Sequence, residues 1–378
     1  MSKRYAIFLS ALFCAFLAVF LVAGAVSPDQ DFSPLENRAL QQLPTPTVKT
    51  LLDGSFMSDF ETYTTDQFPG RDTWVDLKAR TERAMGKQEN NSVYFCKDDT
   101  LITRFEQPDG ENVSKNLSYV DQFAAKAGVP VHFSLIPGAA ELWSDRLPAG
   151  APNASQKAVI DQAAATLKNA QVYDTYTALS AHSQEDIFYR TDHHWTSLGA
   201  YYGYTALMDA LGLEAIPLSQ YTRTTVSDAF YGTIFSSSGV RWVRPDSIET
   251  YVPGDGITVV SHTYDQKGNP VEEERPLYDY SYLEKKDKYS MFLGGNQPLA
   301  VVRTPHTDAP KLLIVRDSYT DSMVPFLTAH FSEIHLVDPR YYKLSVADYI
   351  QQNGIDEALV LYSVSNFVTD KNLVWLAR

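Results

Sequence analysis

The spacing of apolar and polar positions along this chain predicts a mixed α/β protein that follows a separate apolar segment. An uncharged run extends from Tyr5 to Val26, and the next stretch, to about Thr50, is Pro- and Gln-rich with little periodicity. From Leu51 to Gly86 the apolar positions have helical spacing, interrupted at Pro69-Gly70. A hairpin is then expected across Ser92–Phe105, with a turn between two short apolar runs.

Beyond the hairpin, short apolar runs alternate with amphipathic segments. The predicted strands are Val129–Ile136, Gln171–Tyr173, Lys311–Val315, Glu333–Val337 and Glu357–Tyr362. The predicted helices are Val113–Ala127, Gln156–Lys168, Leu198–Leu211 with Thr196 or Ser197 as N-cap, about Thr320–His330, and Ser345–Asn353. This alternation predicts a mainly parallel sheet covered by helices on both faces, a three-layer arrangement. Residues 213–300, rich in Thr, Ser, Tyr, Gly and Pro, are expected to form an irregular, partly β insertion.

The pattern divides the chain into residues 1–26, a stalk at 27–50, and one α/β domain at 51–378. The first apolar run has 22 residues, which reaches the ~20 needed to span a bilayer and exceeds the ~7–15 of a signal-peptide core. Lys3 and Arg4 orient it with its N-terminus in the cytoplasm. We therefore expect a single-pass anchor with an extracytoplasmic domain, or a secreted protein if the chain is cleaved at Ala23-Gly24-Ala25.

Charge and cysteine content exclude several classes of function. Without Lys3 and Arg4, the chain carries 46 acidic and 30 basic residues, a net charge of −16. This balance argues against nucleic acid as a partner. Cys14 lies inside the apolar run and Cys96 is the only other cysteine, so the exported part has neither an internal disulfide nor a cysteine metal cluster.

The segment Asp192-His193-His194-Trp195 is the first candidate for chemistry. In an extended segment, residues 192 and 194 project to the same side, so Asp192 could orient His194 and leave its second ring nitrogen free to accept a proton. His194 could equally be a satisfied histidine beside Trp195. A metal site formed by Asp192, His193 and His194 is a further alternative, although adjacent histidines on a strand point to opposite faces.

A nucleophile is available where the predicted strand Lys311–Val315 ends. Ser318 follows it at the start of a predicted helix, at the sheet edge where open α/β sheets bind ligands. The free N–H groups of that helix could stabilise an oxyanion. Asp192, His194 and Ser318 then supply all parts of a serine-hydrolase triad. The alternative is that Asp317 or Ser318 only caps the helix.

The Asp-His-His-Trp segment resembles the signature of the DHHW family of exported bacterial proteins. That family is related to the SGNH-hydrolase-like domain of the alginate O-acetylation proteins. The resemblance extends over most of the exported chain, through Glu36-Asn37-Arg38, the segment from Asp66 to Asp72, Phe230-Tyr231-Gly232-Thr233 and Asp317-Ser318-Tyr319. It implies Ser318 as nucleophile, His194 as base and Asp192 as its orienting partner. Because Asp192 and His194 precede Ser318, it also implies a circularly permuted SGNH fold.

The permuted order implies further site residues. Asn366, after the strand Glu357–Tyr362, is the expected oxyanion donor together with the N–H of Ser318, and Asn296 in Gly294-Gly295-Asn296 competes for that role. Tyr319, Trp195 and Arg316 are expected to contact substrate. Tyr231, Arg241, Trp242 and Arg340 are candidates for lining a saccharide cleft. The chain departs from the SGNH pattern at Arg316, where a glycine is usual, and at Asp338-Pro339-Arg340, where a glycine would supply another oxyanion N–H.

The expected function is a serine-dependent O-acyltransferase, with acetyl as the group and a cell-envelope or secreted polysaccharide as the acceptor. It needs no metal or other cofactor, and the resemblance implies a polytopic membrane acyltransferase as the donor partner. A carbohydrate esterase with the same triad is one alternative, since transfer and hydrolysis differ only in the acceptor. A catalytically silent saccharide-binding or scaffold protein on this fold is the other.

Overall fold

The computed structural model describes residues 3–252, 254–264 and 269–378, which contain 15 strands and 13 α-helices. The strands are β1 (Phe32–Ser33), β2 (Arg38–Ala39), β3 (Glu89–Asn90), β4 (Val93–Phe95), β5 (Leu101–Thr103), β6 (Val131–Ile136), β7 (Gln171–Val172), β8 (Thr222–Phe230), β9 (Asp246–Val252), β10 (Thr258–Tyr264), β11 (Pro270–Arg275), β12 (Leu299–Arg303), β13 (Lys311–Arg316), β14 (Glu333–Val337) and β15 (Glu357–Ser363). The helices are α1 (Lys3–Val26), α2 (Val48–Leu52), α3 (Ser55–Asp66), α4 (Arg71–Ala84), α5 (Gly110–Lys126), α6 (Ala139–Leu142), α7 (Gln156–Thr166), α8 (Thr175–Ser180), α9 (Ser197–Ala210), α10 (Thr233–Ser238), α11 (Val324–Leu327), α12 (Val346–Asn353) and α13 (Val364–Thr369).

Two compact units make up the described chain. The first comprises the chain up to Asn91 together with Phe235–Trp242, and the second comprises Ser92–Ile234 with Val243–Arg378. The predicted domain limit at residue 51 differs from this division, because α3 and α4 belong to the first unit. The predicted break at Pro69-Gly70 is confirmed, since α3 ends at Asp66 and α4 begins at Arg71.

In the first unit, α1 is the apolar helix at the N-terminal end. It is long and apolar enough to cross a membrane, and none of its residues is buried.

A buried ion pair connects two other elements of the first unit. Asp66 is buried and accepts two hydrogen bonds from Arg38, at 2.8 and 2.6 Å. A buried carboxylate is stable only when it is paired in this way, so the contact joins β2 to the end of α3.

An eight-stranded sheet forms the centre of the second unit, in the order β11-β10-β12-β14-β13-β15-β6-β7. The five strands from β14 to β7 pair in parallel, and the three remaining pairings are antiparallel. Leu312 to Val315 in β13 are all fully buried, as are Ala358 to Leu361 in β15. Continuous apolar runs of this kind are typical of central parallel strands that are covered on both faces. The predicted mainly parallel sheet is therefore confirmed, whereas circular permutation stays a prediction.

Residues 213–300 contribute more regular structure than their composition suggests. β8 and β9 form an antiparallel pair, and β10 pairs with both β11 and β12. Since β12 also pairs with β14, this part of the chain extends the main sheet. Most residues of β8 and β11 are exposed, so these two strands lack the apolar positions that mark a half-buried strand in the sequence.

The helix predicted at Thr320–His330 differs from the observed structure. The chain forms a 3-10 helix over Ser318–Ser322, followed by the single α-helical turn α11. Pro325 stands in the first turn of α11 and lacks an amide hydrogen, so it cannot continue the preceding hydrogen-bond ladder. The N-cap predicted for α9 is confirmed, because Thr196 accepts a hydrogen bond from the amide of Gly199 at 3.2 Å.

Candidate active site

Ser318 stands at the carboxyl end of β13, where the chain turns into the 3-10 helix. Asp317 fixes that turn: its Oδ1 accepts a hydrogen bond from the amide of Tyr319 at 3.0 Å. Its Oδ2 accepts from the amide and the hydroxyl of Ser363, at 2.9 and 2.8 Å. Because β15 is the parallel neighbour of β13, the buried Asp317 ties the ends of two adjacent strands together beneath the half-buried Ser318.

Asp192 and His194 lie just before α9 and are both buried, with 2% and 5% of their surface exposed. Oδ1 of Asp192 accepts from Nδ1 of His194 at 2.6 Å and from the His194 backbone amide at 3.0 Å. Its Oδ2 accepts from the backbone amide and the hydroxyl of Thr233, at 2.7 and 3.0 Å. Both carboxylate oxygens are therefore occupied, and the carboxylate cannot rotate without losing these contacts.

The groups around Asp192 keep it ionised. Burial by itself would raise the pKa of this carboxyl, but the neighbouring imidazoles of His193 and His194 and the donated hydrogen bonds outweigh burial and hold the pKa well below its usual range. An ionised carboxylate only accepts hydrogen bonds, so His194 must carry its proton on Nδ1. Nε2 of His194 is then a free base.

That free nitrogen faces the serine. Nε2 of His194 lies 2.8 Å from Oγ of Ser318, within the range in which a general base can take a proton from a nucleophile. Asp192, His194 and Ser318 thus form a continuous hydrogen-bonded line, as the residue types predicted, although their catalytic role stays a prediction.

Aromatic rings hold the base and the serine turn in place. The ring of Tyr289 stacks on His194, with centroids 3.7 Å apart and planes 7° apart. The Tyr289 hydroxyl lies 3.1 Å from the carbonyl of Ser318, to which it can donate its hydrogen, and 3.1 Å from Oγ of Ser322. Trp195 donates its indole N–H to the carbonyl of Tyr319 at 2.8 Å. One buried tyrosine therefore contacts both the base and the main chain of the nucleophile.

Gly232 and Thr233 complete the support of Asp192. A Cβ atom on Gly232 would lie 2.2 Å from Cβ of Asp192, so only glycine permits this approach. The amide of Gly232 donates to Oγ of Thr191, whose own hydroxyl donates to Asp246. Gly232 and Thr233 of the Phe-Tyr-Gly-Thr segment therefore form the surface on which the Asp192 carboxylate packs.

The Asp192–His194 segment is bent and not extended. Residues 191–194 form successive bends, and the rings of His193 and His194 lie side by side with centroids 3.8 Å apart. The two histidines therefore do not point to opposite faces, and ligand atoms of Asp192, His193 and His194 come within 4.8 Å of one another. In this arrangement, however, both nitrogens of His194 are already in hydrogen bonds to Asp192 and Ser318. A metal would have to displace them.

The asparagines expected to contact the oxyanion lie near the end of β13. Nδ2 of Asn366 donates to Oδ2 of Asp317 at 2.8 Å, which occupies one of its two N–H groups. The competing Asn296 uses its side-chain oxygen to accept from Arg316 at 3.3 Å and from Arg340 at 3.2 Å. Both asparagines are therefore near the end of β13, but only Asn366 contacts the turn that carries Ser318.

Burial argues against the three expected substrate contacts. Trp195 and Arg316 are fully buried, and Tyr319 is 4% exposed with its hydroxyl donating to the carbonyl of His193. Arg316 instead forms an ion pair of 2.8 Å with the buried Asp321. Burial raises the pKa of Asp321 to about 7, although the Arg316 cation opposes this effect. Trp195, Arg316 and Tyr319 therefore stabilise the turn at Ser318 from the protein interior.

The residues proposed to line a saccharide cleft separate into two groups. Arg241 and Trp242 belong to the first unit, where Arg80 and Arg83 lie over the Trp242 ring at 5.1 and 5.3 Å. Arg340 belongs to the second unit, and Asp338 accepts from it at 2.6 Å. A pocket of about 320 Å³ there is lined in part by Asp317, Arg340, Asn366 and Lys371. The pocket therefore includes Asp317, the chain neighbour of Ser318, but not Ser318 itself.

Thr233 and Tyr289 contact the site, although the sequence pattern alone indicates no role for either. Thr233 belongs to a segment that carries the family resemblance, but the resemblance does not indicate which residue it contacts. Tyr289 lies in the segment 213–300 that is expected to be irregular, and nothing in its local sequence separates it from the 22 other tyrosines.

Comparisons with known proteins identify the family of the chain and proteins that share its fold. A family model described as DHHW protein matches residues 111–337. The crystal structure of a DHHW family protein from Eubacterium siraeum aligns with a TM-score of 0.65 and 29% identity, covering 76% of this chain and 95% of that one. The structure of Bacillus cereus PatB1 with a sulfonyl adduct aligns with a TM-score of 0.62 and 21% identity, covering 76% and 98%, and shares the fold.

One curated relative is named probable alginate O-acetylase AlgJ, from Pseudomonas syringae pv. tomato. It is 26% identical over 195 residues, which are 49% of this chain and 48% of the relative. The chain therefore spans about half the length of the curated relative that it matches.

Proposed function

The chain belongs to the DHHW protein family, and we propose that it is a serine-dependent O-acetyltransferase that modifies an extracytoplasmic polysaccharide. The observation that carries the proposal is the distance of 2.8 Å between Nε2 of His194 and Oγ of Ser318, with Asp192 fixed behind the histidine. The name of the Pseudomonas relative supports acetyl transfer to a polysaccharide.

The first half of the reaction forms an acyl-enzyme. His194 takes the proton of Ser318 as Oγ attacks the carbonyl carbon of an acetyl ester. The tetrahedral intermediate collapses by breaking the bond to the donor oxygen, which leaves with the proton from His194. The product is an acetyl ester on Ser318, and Asp192 stabilises the imidazolium that forms between the two proton transfers.

In the second half, His194 takes a proton from a sugar hydroxyl, whose oxygen attacks the acetyl carbon. Collapse of the intermediate releases the acetylated sugar, and Oγ of Ser318 recovers its proton from His194. The amide of Ser318 and the second N–H of Asn366 are the proposed donors to the oxyanion, since one Asn366 N–H already holds Asp317.

Location supports a polymer outside the cytoplasm. The helix Lys3–Val26 could anchor the chain or direct its export, with Lys3 and Arg4 on the cytoplasmic side. The pocket that includes Asp317 and Arg340 is the proposed entry for the saccharide. A polytopic membrane acyltransferase is the proposed acetyl donor, because the acetyl group has to cross the membrane before it reaches Ser318.

A serine-reactive phosphonate tests the proposal on the full-length protein in detergent. We expect covalent labelling that is absent in Ser318→Ala and strongly reduced in His194→Ala. Acetyl transfer from p-nitrophenyl acetate to an oligosaccharide, measured by mass spectrometry, separates the alternatives. Release of acetate without transfer would identify an esterase, and glycan binding without labelling would identify a silent binding protein; either result would overturn the proposal.

A further inference from the structure

The proposed reaction gives no task to His193 or Trp195, and Trp195 is fully buried whereas His193 is not. Its side chain is 38% exposed, whereas that of the neighbouring His194 is 6% exposed. Its ring lies against His194, with centroids 3.8 Å apart, and Tyr289 stacks at 3.7 Å on the same imidazole. Two rings this close cannot share one face of His194, so the base is enclosed between a buried tyrosine and a half-buried histidine.

A chain of hydrogen bonds fixes which nitrogen of His193 carries the proton. The hydroxyl of Thr233 donates its single hydrogen to the ionised Asp192 at 3.0 Å. Thr233 Oγ1 lies 2.6 Å from Nδ1 of His193, and with its hydrogen already used it can only accept there. Nδ1 of His193 therefore bears the hydrogen. Burial and the neighbouring His194 lower the pKa of His193, so the ring is neutral and Nε2 carries a free lone pair.

We propose that His193 is a substrate-positioning residue whose Nε2 accepts a hydrogen bond from a second hydroxyl of the acceptor, next to the hydroxyl that His194 deprotonates. The inference rests on the proposed function. The hydrogen bond to Nε2 of His193 selects acceptors with two adjacent hydroxyls, such as a sugar ring bearing a free vicinal diol, over acceptors with a single hydroxyl. The selection acts in the second half of the reaction, after the acyl-enzyme has formed.

Competition between two small acceptors tests this on the full-length protein. Acyl transfer from p-nitrophenyl acetate to ethylene glycol is compared with transfer to ethanol, and the ratio of the two acetylated products is measured by gas chromatography. Both products come from one acyl-enzyme, so a general loss of acylation cancels in the ratio. The wild-type protein should favour glycol by about fivefold to tenfold per hydroxyl, the effect of one neutral hydrogen bond.

Two variants of His193 distinguish the loss of the hydrogen-bond acceptor Nε2 from the loss of side-chain packing. In His193→Asn, the carboxamide N–H can still donate to Thr233 but no group replaces Nε2, and the preference for glycol should fall to about one. In His193→Gln, the longer side chain can present an acceptor oxygen near the Nε2 position and should recover part of the preference. His182→Asn is the control, because His182 is a similarly half-buried histidine, paired with Glu185 at 2.6 Å and stacked on Tyr202.

Unchanged product ratios in His193→Asn, with transfer intact in the wild-type protein, would overturn the positioning role alone. Absence of any acetyl-serine in the wild-type protein would overturn the proposed function and this inference together. Nitrogen-15 NMR of labelled histidine gives a readout that does not need activity. We expect a protonated Nδ1 and a bare Nε2 on His193 at pH 7, and the opposite tautomer would overturn the inference.

Discussion

Replacement of Asp192 by asparagine is the sharpest perturbation of this site, because it changes charge and hydrogen-bonding capacity with almost no change in shape. Each carboxylate oxygen accepts from one backbone amide: Oδ1 from His194 at 3.0 Å and Oδ2 from Thr233 at 2.7 Å. A carboxamide has only one oxygen. In either orientation of Asp192→Asn, its NH2 group therefore faces a fixed N–H donor.

The magnitude follows from these contacts. If the amide nitrogen faces His194, the histidine must hold its proton on Nε2 and can no longer accept from Ser318. If it faces Thr233, the tautomer survives but the negative charge that stabilises the imidazolium is lost. We expect kcat/KM to fall ~10³–10⁴-fold, about 4–5.5 kcal/mol of transition-state stabilisation. The free energy of unfolding should drop by about 2–4 kcal/mol, because two buried donors lose their acceptor.

The assay is steady-state hydrolysis of p-nitrophenyl acetate, with chemical denaturation of the same samples from pH 3 to pH 8. The pKa of Asp192 is depressed in the folded protein, since the two imidazoles and the donated hydrogen bonds outweigh burial. Its contribution to stability is then fully present above the unfolded pKa of about 3.9 and is lost as the pH falls toward the folded value. The difference in stability between wild type and Asp192→Asn should therefore shrink below about pH 4.

Asp246→Asn is the matched control. Asp246 is also buried, and its two oxygens accept from the backbone amides of Arg190 at 3.0 Å and Thr191 at 2.9 Å. The substitution should thus cost similar stability while kcat/KM stays within about tenfold of wild type. If Asp192→Asn retains kcat/KM within tenfold, or if Asp246→Asn loses as much activity, Asp192 has no special role and the reasoning is refuted.

Two further substitutions test the supports of the site. Gly232→Ala should lower the free energy of unfolding by about 1–3 kcal/mol in thermal denaturation, because its Cβ would lie 2.2 Å from Asp192, whereas Gly110→Ala meets open space and should change little. Arg316→Met should cost about 3–5 kcal/mol in urea, since it leaves Asp321 buried without its partner at 2.8 Å. The double change Arg316→Met with Asp321→Leu should recover most of that loss, and a double variant as unstable as Arg316→Met alone would contradict this account.

The sequence predicts the central parallel strands and the hydrogen-bonded line of Asp192, His194 and Ser318 well, for a physical reason. β13 and β15 are buried on both faces, so each contains a continuous apolar run that stands out in composition. The strand ends then locate Ser318, since parallel strands place their carboxyl ends at one edge of the sheet. His194 and Asp192 are close in sequence, so their pairing needed only local geometry.

The surroundings of the site could not be predicted, because they depend on contacts between distant segments. Arg316 looked available to substrate from its position beside Ser318, yet it pairs with Asp321 across the strand-to-helix turn. Tyr289 stacks on a histidine 95 positions earlier in the chain, and no periodicity marks such a contact. Residue type shows what a side chain could do, but burial decides whether a ligand can reach it.

The Asp-His-His-Trp segment is rigid at both ends, and this explains why its bends can bring two imidazoles together. At one end, each oxygen of Asp192 accepts a hydrogen bond from a backbone amide, so the carboxylate cannot rotate without losing these bonds. At the other, the fully buried Trp195 donates to the Ser318–Ser322 helix, through the carbonyl of Tyr319 and Oγ of Ser322. The Trp195 ring packs against α9 at Gly203, where an added Cβ atom would lie 2.7 Å from the ring. Only a glycine at this position of α9 leaves room for the ring. The nucleophile and the base are thus held by one four-residue segment. A substitution at Trp195 should therefore alter the His194–Ser318 distance without touching either residue.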